Sequence, residues 1–403
     1  MCIFHPQVTV SKSARNCAFR GFDEPYRTTL LGEIASLVNR TDPKSNAPIM
    51  MLSAGNGFIM QSEKYSRDNA GQSLKKYILL KQGELAYNHG ASKAKQFGCC
   101  YELTEPEARI PYVYHCFKIN EDEYTPYVAM ALNNAKMDQQ LKRLVSSSVR
   151  MDGLLNISFE DYMSVTLHLP SFIEQKHIAD FLTKLDERIA YQERLITSLK
   201  KYKRGLHKLV FIKKRKHSWE KSALHDIASF CGGGTPSKDV SSYWEGEIGW
   251  ISSSDIQEEW IDDISVTRRI TKTAIDNSAT KLCPEGTIAI VSRVGVGKVA
   301  IMPESLCTSQ DFTNITSITG NTHYMAYQIA FRMKLEAMKT QGTSIKGVTA
   351  DTIKAMVLDI PPLEEQKKIA DMLTAFDAYI KRAVCELDLF LAMKKALLQQ
   401  LFI

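Results

Sequence analysis

The sequence predicts an α+β protein in which two mixed α/β bodies are separated by two long antiparallel coiled-coil helices, with a pseudo-twofold internal repeat. The first observation is a repeated phrase: "EQKHIADFL" begins at Glu174, and "EQKKIADML" begins 191 residues later at Glu365. The second is that residues 170–212 align with residues 361–403 without a gap. Because a long internal repeat defines the whole fold, we expect two diverged units of roughly 190 residues, each a body followed by a tail.

Apolar residues in both tails recur every seven positions, in two rows that lie four residues apart, which is the pattern of a coiled-coil helix. Pro170 and Pro361 precede the tails, where a missing backbone N–H costs little, and Glu174 and Glu365 follow in the first turn. At ~1.5 Å per residue, helices of roughly 40 residues would each be about 60 Å long. The predicted seam positions are Ile178, Leu182, Leu185, Ile189, Gln192, Ile196, Leu199, Lys203, Leu206 and Val210 in the first helix, and Ile369, Leu373, Phe376, Ile380, Ala383, Leu387, Phe390, Lys394, Leu397 and Leu401 in the second.

The order body, helix, body, helix favours a second helix that runs back along the first. This antiparallel arrangement would relate the two units by a twofold axis perpendicular to the helices. Twofold proteins use such symmetry to read two half-sites on duplex DNA. The geometry therefore predicts two DNA-reading bodies held a fixed distance apart by the helices. The alternative is a coiled-coil hairpin that serves only dimerisation.

Composition narrows the class of protein. The chain has 403 residues, 44% of them hydrophobic, which is enough for two cores. It has no apolar run of the ~20 residues that a membrane span needs, and its first residues lack the apolar core of a signal peptide, so we expect a cytoplasmic protein. Nine cysteines without a CxxC pair indicate reduced thiols rather than a zinc site.

Positive charge is concentrated at the end of the first helix. The net charge is +6, and Lys200–Lys216 contains nine Lys or Arg residues and no acidic residue. Such a run fits either a solvated helix face or a polyanionic partner.

The second body contains turn and strand patterns typical of a binding loop. Three glycines and Pro236 in "CGGGTPSKDV" predict a turn, "IGWI" predicts a strand, and residues 252–255 predict a polar loop. "GTIAIVSRVGVGKVAIM" predicts a hairpin with a glycine-rich tip. Gly295, Gly297 and Ala300 match a G-x-G-x-x-A nucleotide fingerprint, but β-branched residues and then Pro303 follow where that fingerprint needs a helix.

We interpret this hairpin as a reader of nucleic acid, with an ordinary exposed hairpin as the alternative. Its glycines would let Arg293 and Lys298 approach a phosphate or a guanine edge. The corresponding loop of the first body is "YNHGASKAK". The candidate DNA-contacting residues are Asn88, Ser92, Lys93 and Lys95 in the first body, and Lys238, Ser252, Ser253, Ser254, Arg293 and Lys298 in the second.

The sequence contains only incomplete matches to catalytic motifs. "EQK" resembles half of a metal-dependent nuclease site, but in both copies it stands at a helix start with no neighbouring strand to carry an aspartate. "IPPLE" lacks the leading polar residue and the aromatic of the amino-methyltransferase tetrapeptide, and the nine histidines show no ligand spacing. We therefore expect no catalytic residue and no metal site on this chain.

Taken together, the motifs resemble the specificity (S) subunit of type I restriction-modification systems. The tails match the two conserved regions of that family, and "GGGTPS", "WISSSD", "NSATKLCPEGTIAI" and "RVGVGK" resemble one of its target-recognition domain types. The resemblance extends from about Tyr26 to the C-terminus, although "VNRTDPKSNAPIM" replaces the GGTPS turn in the first body. It implies an arm at 1–25, target-recognition domains at 26–169 and 218–360, and spacer helices at 170–217 and 361–403.

The resemblance also implies a function. Each body would recognise one half of a bipartite DNA target, and the helices would set the spacing and bind two methyltransferase (M) subunits. Those partners would carry S-adenosylmethionine and methylate adenines, while restriction/translocase (R) subunits would use ATP and Mg; this chain would hold no cofactor. The residues expected to form the coiled coil and bind the partners are Glu174, Gln175, Ile178, Leu182, Leu185, Ile189, Glu365, Gln366, Ile369, Leu373, Phe376 and Ile380.

Two other functions remain open from the sequence. One is a stand-alone nuclease or methyltransferase with its own recognition domains. The other is a repurposed DNA-binding module without partners.

Overall fold

The chain divides into two units, each of which combines one body with parts of both long helices. Unit 1 comprises Met1–Tyr191 and Leu387–Ile403, and unit 2 comprises Gln192–Glu386. The structure is a computed structural model, and it describes residues 22, 24–64, 71–92, 95–145, 155–213, 218–340 and 347–402.

The first body mixes short strands with short helices. Its strands are β1 (Arg27–Leu30), β2 (Ala35–Leu37), β3 (Met50–Ser53), β4 (Gly57–Met60), β5 (Ile78–Lys81), β6 (Leu85–Asn88), β7 (Cys99–Glu102), β8 (Glu107–Ile110), β9 (His115–Ile119) and β10 (Thr166–Leu169). Its helices are α1 (Leu31–Ile34), α2 (Gln61–Lys64), α3 (Thr125–Ala131), α4 (Ala135–Leu144) and α5 (Phe159–Met163), with a 3₁₀ turn at Gly71–Lys76. The long helix α6 (Phe172–Lys208) follows and ends in a π-helical turn at Leu209–Lys213.

The second body has the same kind of construction. Its strands are β11 (Glu220–Ala223), β12 (Ala228–Gly232), β13 (Ile248–Ile251), β14 (Arg268–Ile270), β15 (Leu282–Cys283), β16 (Ile288–Val291), β17 (Val299–Ile301), β18 (Leu306–Thr308), β19 (Phe312–Ile318) and β20 (Val357–Ile360). Its helices are α7 (Leu224–Ile227), α8 (Lys272–Asp276), α9 (Thr322–Thr340) and α10 (Ala350–Lys354), with 3₁₀ turns at Ser241–Trp244 and Ser253–Asp255. The second long helix is α11 (Leu363–Leu401).

Sheet order confirms the internal repeat. Unit 1 contains a four-stranded sheet in the order β2-β9-β6-β7, and unit 2 contains one in the corresponding order β12-β19-β16-β17. Antiparallel pairs β1–β10 and β11–β20 bring the first and last strands of each body together, directly before the long helix. Unit 2 has a further sheet in the order β14-β13-β18-β15, whereas unit 1 has the pairs β3–β4 and β5–β8.

Each body is completed by the first turns of one long helix and the end of the other. In unit 1, Ile178 and Leu182 of α6 share a core with Leu401 and Phe402. In unit 2, Leu373 of α11 shares a core with Val210 and Phe211 at the end of α6. The two helices are therefore antiparallel in each unit, as predicted, and all the predicted seam positions are buried or half-buried. Among the described residues, no helix is long and apolar enough to cross a membrane.

The repeated glutamine of the "EQK" phrase joins each long helix to its own body. In unit 2, Gln366 Nε2 donates to the Pro361 carbonyl at 2.8 Å, and its Oε1 accepts from the Asn321 N–H at 2.8 Å. In unit 1, Gln175 bonds the Pro170 carbonyl at 3.0 Å and the Tyr124 N–H at 2.9 Å. Both side chains are buried, so the phrase is repeated because it satisfies the same backbone groups twice.

One ion pair between the long helices is also repeated, but it is buried to different degrees. Lys203 and Asp377 in unit 2 approach to 2.6 Å, with side chains 13% and 3% exposed. Lys394 and Asp186, at the equivalent repeat positions in unit 1, approach to 2.5 Å, with side chains 33% and 46% exposed. Burial raises the pKa of Asp377, although Lys203 opposes that rise.

We expect Gln366→Leu to lower the free energy of unfolding by ~1–3 kcal/mol, because it leaves the half-buried Asn321 N–H and the buried Pro361 carbonyl without their partner. Urea denaturation followed by circular dichroism measures the change. Gln400→Leu, at an exposed position of α11, is the control and should change stability by less than ~0.5 kcal/mol. Equal losses in the two variants would contradict the proposed role of the buried amide.

The two ion pairs allow the effect of burial on stability to be compared at equivalent positions. Lys203→Met should cost ~3–5 kcal/mol, because the buried Asp377 carboxylate loses its cation, whereas Lys394→Met should cost only ~0–1 kcal/mol.

The deficit of Lys203→Met should shrink as the pH falls from about 7 towards the raised pKa of Asp377. A carboxyl group whose pKa is raised by folding favours the folded state when it is protonated, and that contribution is lost as the pH rises. Urea unfolding of both variants across this pH range gives the comparison, and a pH-independent deficit would contradict it.

Candidate nucleic-acid interface

The triple-glycine turn of unit 2 is wedged against two neighbouring segments. Cβ atoms at Gly233 and Gly234 would collide with the backbone of Ser309 and of Ala279, so no larger residue fits there without moving the backbone. The Gly234 N–H donates to the Thr308 carbonyl at 2.8 Å, and the indole N–H of Trp250 donates to the Gly234 carbonyl at 3.0 Å. The turn therefore links the "IGWI" strand to the segments that carry "NSAT" and "TSQD".

Residues 252–255, predicted as a polar loop, form a short 3₁₀ turn around a buried carboxylate. Asp255 Oδ2 accepts from the Ser252 N–H at 2.7 Å and from Arg268 Nη2 at 2.5 Å. Burial alone would raise the pKa of Asp255, but hydrogen bonds from Ser252, Arg268 and Thr267 outweigh burial and lower it. Asp255 is thus a charged anchor that fixes the positions of the three serines.

Arg268 was not singled out from the sequence, although it organises this turn. Its Nη2 also donates to Ser252 Oγ at 2.6 Å, and its guanidinium lies 4.5 Å from the ring centroid of Trp250. The sequence does not indicate this role, because the partners of Arg268, Asp255 and Ser252, lie 13 and 16 positions away along the chain.

The predicted glycine-tipped hairpin is present and contacts the serine turn. β16 and β17 pair antiparallel with Ile288 opposite Ile301, so a strand follows the glycines and not a nucleotide-binding helix. Gly295 and Gly297 have φ of 81° and 102°, which favour glycine. Lys298 Nζ donates to the Ser253 carbonyl at 2.8 Å, which joins two of the motifs. Arg293 and Val294 are exposed at the tip.

The interface of unit 2 therefore gathers most of its predicted residues. Ser252, Ser253 and Ser254, together with Lys298, belong to one connected surface, and Arg293 extends from it. Lys238 is exposed in the segment after the glycine turn, where Trp244 Nε1 bonds the Ser237 carbonyl. No group of His, Cys, Asp or Glu that could hold a metal ion occurs in the described parts of the chain.

In unit 1, β6 has the sheet position that β16 has in unit 2. The loop that follows β6 therefore corresponds to the glycine hairpin that follows β16. Asn88 uses its side chain to accept from the Gly90 N–H at 2.9 Å, and Ser92 exchanges backbone and hydroxyl hydrogen bonds with Lys95. Lys95 Nζ donates to the Asn133 carbonyl at 2.9 Å, so this ammonium group braces the loop against the start of α4. Lys93 lies outside the described residues.

The predicted partner-binding residues of the helices lie mainly inside the chain. Glu174, Gln175, Gln366 and the seam residues Ile178, Leu182, Leu185, Ile189, Leu373 and Ile380 are buried, and Glu365, Ile369 and Phe376 are half-buried. The buried seam residues lie where the coiled-coil pattern places them, whereas Gln175 and Gln366 bond the bodies, and contact of any of these residues with a partner stays a prediction.

Other apolar side chains on the long helices are exposed at equivalent repeat positions. Three exposed apolar positions of the first helix have an exposed apolar counterpart 191 residues later, whereas Ile173, Tyr191 and Leu209 correspond to Glu364, Arg382 and Gln400. The three pairs are Phe172 and Leu363, Phe181 and Met372, and Tyr202 and Met393.

The second body matches a known protein family. Residues 216–384 match the family described as "Type I restriction modification DNA specificity domain". The chain is 34% identical over 167 residues to the type I restriction enzyme MjaIX specificity subunit of Methanocaldococcus jannaschii, covering 40% of this chain and 39% of that protein. It is 31% identical over 186 residues to the EcoR124I/EcoR124II specificity subunit of Escherichia coli, covering 44% and 45%. The matches thus span less than half the length of these two relatives.

Two solved structures resemble the whole chain. The S subunit of a type I restriction-modification system from M. genitalium has a TM-score of 0.58 at 12% identity, covering 96% of this chain and 97% of that one. A chain from a study of complex assembly and conformational transition of the type I R-M system has a TM-score of 0.56 at 14% identity, covering 94% and 97%. These matches confirm the resemblance and the fold inferred from the sequence motifs. Residues 216–384 thus match the type I restriction modification DNA specificity domain, and the chain has the fold of type I S subunits.

Proposed function

We propose that this chain is the specificity subunit of a type I restriction-modification complex. It recognises a bipartite DNA target, one half through each unit, and directs adenine methylation and cleavage by partner subunits. The observation that carries this proposal is the convergence of the glycine turn, the serine turn and the glycine hairpin on one surface of unit 2, within the matched specificity domain.

The chemistry of this surface suits the reading of DNA. Arg293 offers several donors at an exposed tip, and a guanidinium can bond a guanine edge or a phosphate. Asp255 and Arg268 hold the Ser252 hydroxyl, which in turn bonds the Ser254 hydroxyl, so this pair meets a ligand at little further entropic cost. The absence of Cβ atoms at Gly295 and Gly297 permits close approach of the backbone.

Unit 1 reads the second half-site in this proposal. Its four-stranded sheet has the same order as that of unit 2, and its loop after β6 occupies the position of the glycine hairpin. Ser92 is exposed in this loop, whereas Lys95 is tied to Asn133 and acts mainly by bracing it. The two loops share almost no residues, which fits two different half-sites.

Two methyltransferase subunits bind the long helices, one to each repeat. The exposed apolar residues at equivalent positions of α6 and α11 support two copies of one kind of partner, since equivalent surfaces bind equivalent ligands. Restriction/translocase subunits join the same complex. S-adenosylmethionine, ATP and Mg belong to these partners, and this chain contributes target recognition and no catalytic residue.

A stand-alone nuclease or methyltransferase is the competing function. Incubation of the purified chain with duplex DNA and labelled S-adenosylmethionine separates the two. Methyl transfer that appears only after the methyltransferase subunit is added supports the proposal, and transfer by the chain alone would overturn it.

Arg293→Ala should weaken DNA binding by the assembled complex. A lost base contact would cost ~1–3 kcal/mol and relax specificity at one position of one half-site, whereas a lost phosphate contact would weaken binding to all sequences. Lys298→Ala should do less to affinity and more to specificity, because Lys298 also holds the Ser253 carbonyl. Fluorescence anisotropy gives the affinities, and sequencing of methylated DNA gives the specificity.

The matched control is Lys221→Ala, an exposed lysine on β11, outside this surface. It removes the same charge as Lys298→Ala and should leave the methylated sequence unchanged. Unchanged binding and methylation in both hairpin variants would remove the hairpin from the reading surface.

Phe181→Ser and Met372→Ser should each remove one methyltransferase subunit from the complex, and the double variant should remove both. These are equivalent exposed apolar positions, so each loss should be independent. Native mass spectrometry counts the bound subunits.

Lys176→Ser and Lys367→Ser are the controls for this experiment, because they are exposed and also occupy equivalent repeat positions. Each lies roughly 140° around its helix from the tested residue, at ~100° per residue. Full occupancy in the Phe181 and Met372 variants would place the partners on another face.

A further inference from the structure

A single segment of the second body, residues 257–263, contacts both long helices within unit 2. Glu259 pairs with Lys200 of α6 at 2.6 Å, and its carbonyl accepts from Lys203 Nζ at 2.6 Å. Asp262 pairs with Lys381 of α11 at 2.6 Å. Part of the basic run at the end of the first helix therefore faces this acidic segment of the same chain.

Trp260 lies at the centre of these contacts, between one cation from each helix. The ring centroid is 4.7 Å from Lys203 Nζ and 5.3 Å from Lys381 Nζ, both within the range of a cation–π interaction. Lys203 is also the partner of the buried Asp377, so the indole ring contacts the buried ion pair of the helices.

The next residue, Ile261, points into the body instead. Its side chain is 4% exposed and belongs to the core of unit 2, and its carbonyl accepts from the Ile301 N–H at 2.6 Å. Ile301 is the last residue of β17, whose other end carries the glycine hairpin. Two positions beyond the segment, the Ser265 N–H donates to the Asp255 carbonyl at 2.8 Å in the serine turn.

We propose that residues 257–263 form a strut that fixes the orientation of the reading hairpin and the serine turn on the helix pair, with Trp260 as its positioning residue. This inference rests on the proposed function for its effect on DNA, and on the contacts above for its mechanics. The segment is bonded to the helices on one side and, through Ile261, to the end of hairpin strand β17 on the other, while Ser265 just beyond it bonds the serine turn. Displacing Trp260 from its two lysines therefore frees the loops to reorient.

The strut is a property of the second repeat. The position equivalent to Lys381 in the first helix is Ala190, which has no cation to offer an aromatic ring. A strut of this composition therefore cannot form on the first repeat, so its loss frees the reading loops of unit 2 alone and changes neither half-site sequence.

Hydrogen–deuterium exchange of the full chain tests the mechanics. Trp260→Ala should speed exchange about tenfold in residues 257–263 and in the β16–β17 hairpin. Trp260→Leu, which retains apolar bulk without a π face, should behave like the alanine variant, whereas Trp260→Phe should retain most of the protection. Lys381→Met, which removes one cation and keeps the indole, should give a smaller increase and serves if Trp260→Ala does not fold.

Methylation mapping of the assembled complex tests the consequence. Trp260→Ala should methylate targets whose spacer is one base pair shorter or longer, with both half-site sequences unchanged, and Trp260→Phe should keep the original spacer. If exchange rises in residues 257–263 alone, while the hairpin and the spacer stay as in the unmodified protein, the segment is local packing and the strut is refuted. Failure of the unmodified complex to methylate any bipartite target contradicts the proposed function instead, and the exchange results still decide the strut.

Discussion

The structure depends on one constraint: each body completes its core with the first turns of one long helix and the end of the other. Tyr127 of unit 1 meets Phe402 with ring centroids 5.3 Å apart, and Tyr324 of unit 2 meets Phe211 at 5.9 Å. The hydroxyls of these tyrosines donate to the carbonyls of His168 and Asp359, which are equivalent positions of the last body strand. Because burial of these apolar side chains stabilises both cores, the helices have to be antiparallel and in one register.

The two equivalent ion pairs between the long helices differ in their exposure to water. The ion pairs Lys203–Asp377 and Lys394–Asp186 have nearly the same length, but the former is shielded from water and the latter is half in solvent. Two groups of the second body cover the buried pair: Tyr327 Oη donates to Asp377 Oδ2 at 2.9 Å, and the Trp260 ring lies 4.7 Å from Lys203 Nζ. Divergence of the bodies has thus changed the electrostatics of helices whose own residues remained alike.

The proposed reading surface of unit 2 combines a fixed backbone with exposed side chains at its tip. The glycine turn and Asp255 are held by close packing and by charge-assisted hydrogen bonds, which pre-organise the serine turn. Arg293 and Val294 extend from a turn that only glycines allow, so their identity can vary without disturbing the support. Under the proposed function, this separation lets one scaffold present different side chains to DNA.

The sequence by itself determined the repeat, the two long helices and the glycine hairpin, because heptad spacing and turn chemistry are local patterns that need no knowledge of distant neighbours. The order of bodies and helices along the chain added their antiparallel pairing. It also indicated that Arg293 would be exposed, and its motifs resemble those of type I specificity subunits. Only the tertiary structure decided that Gln175 and Gln366 bond body backbone, that Lys95 turns to Asn133, and that Arg268 and Trp260 organise the second body. The physical reason is that each of these roles is set by a partner far away in the chain, and the strength of a polar contact depends on burial that residue order does not reveal.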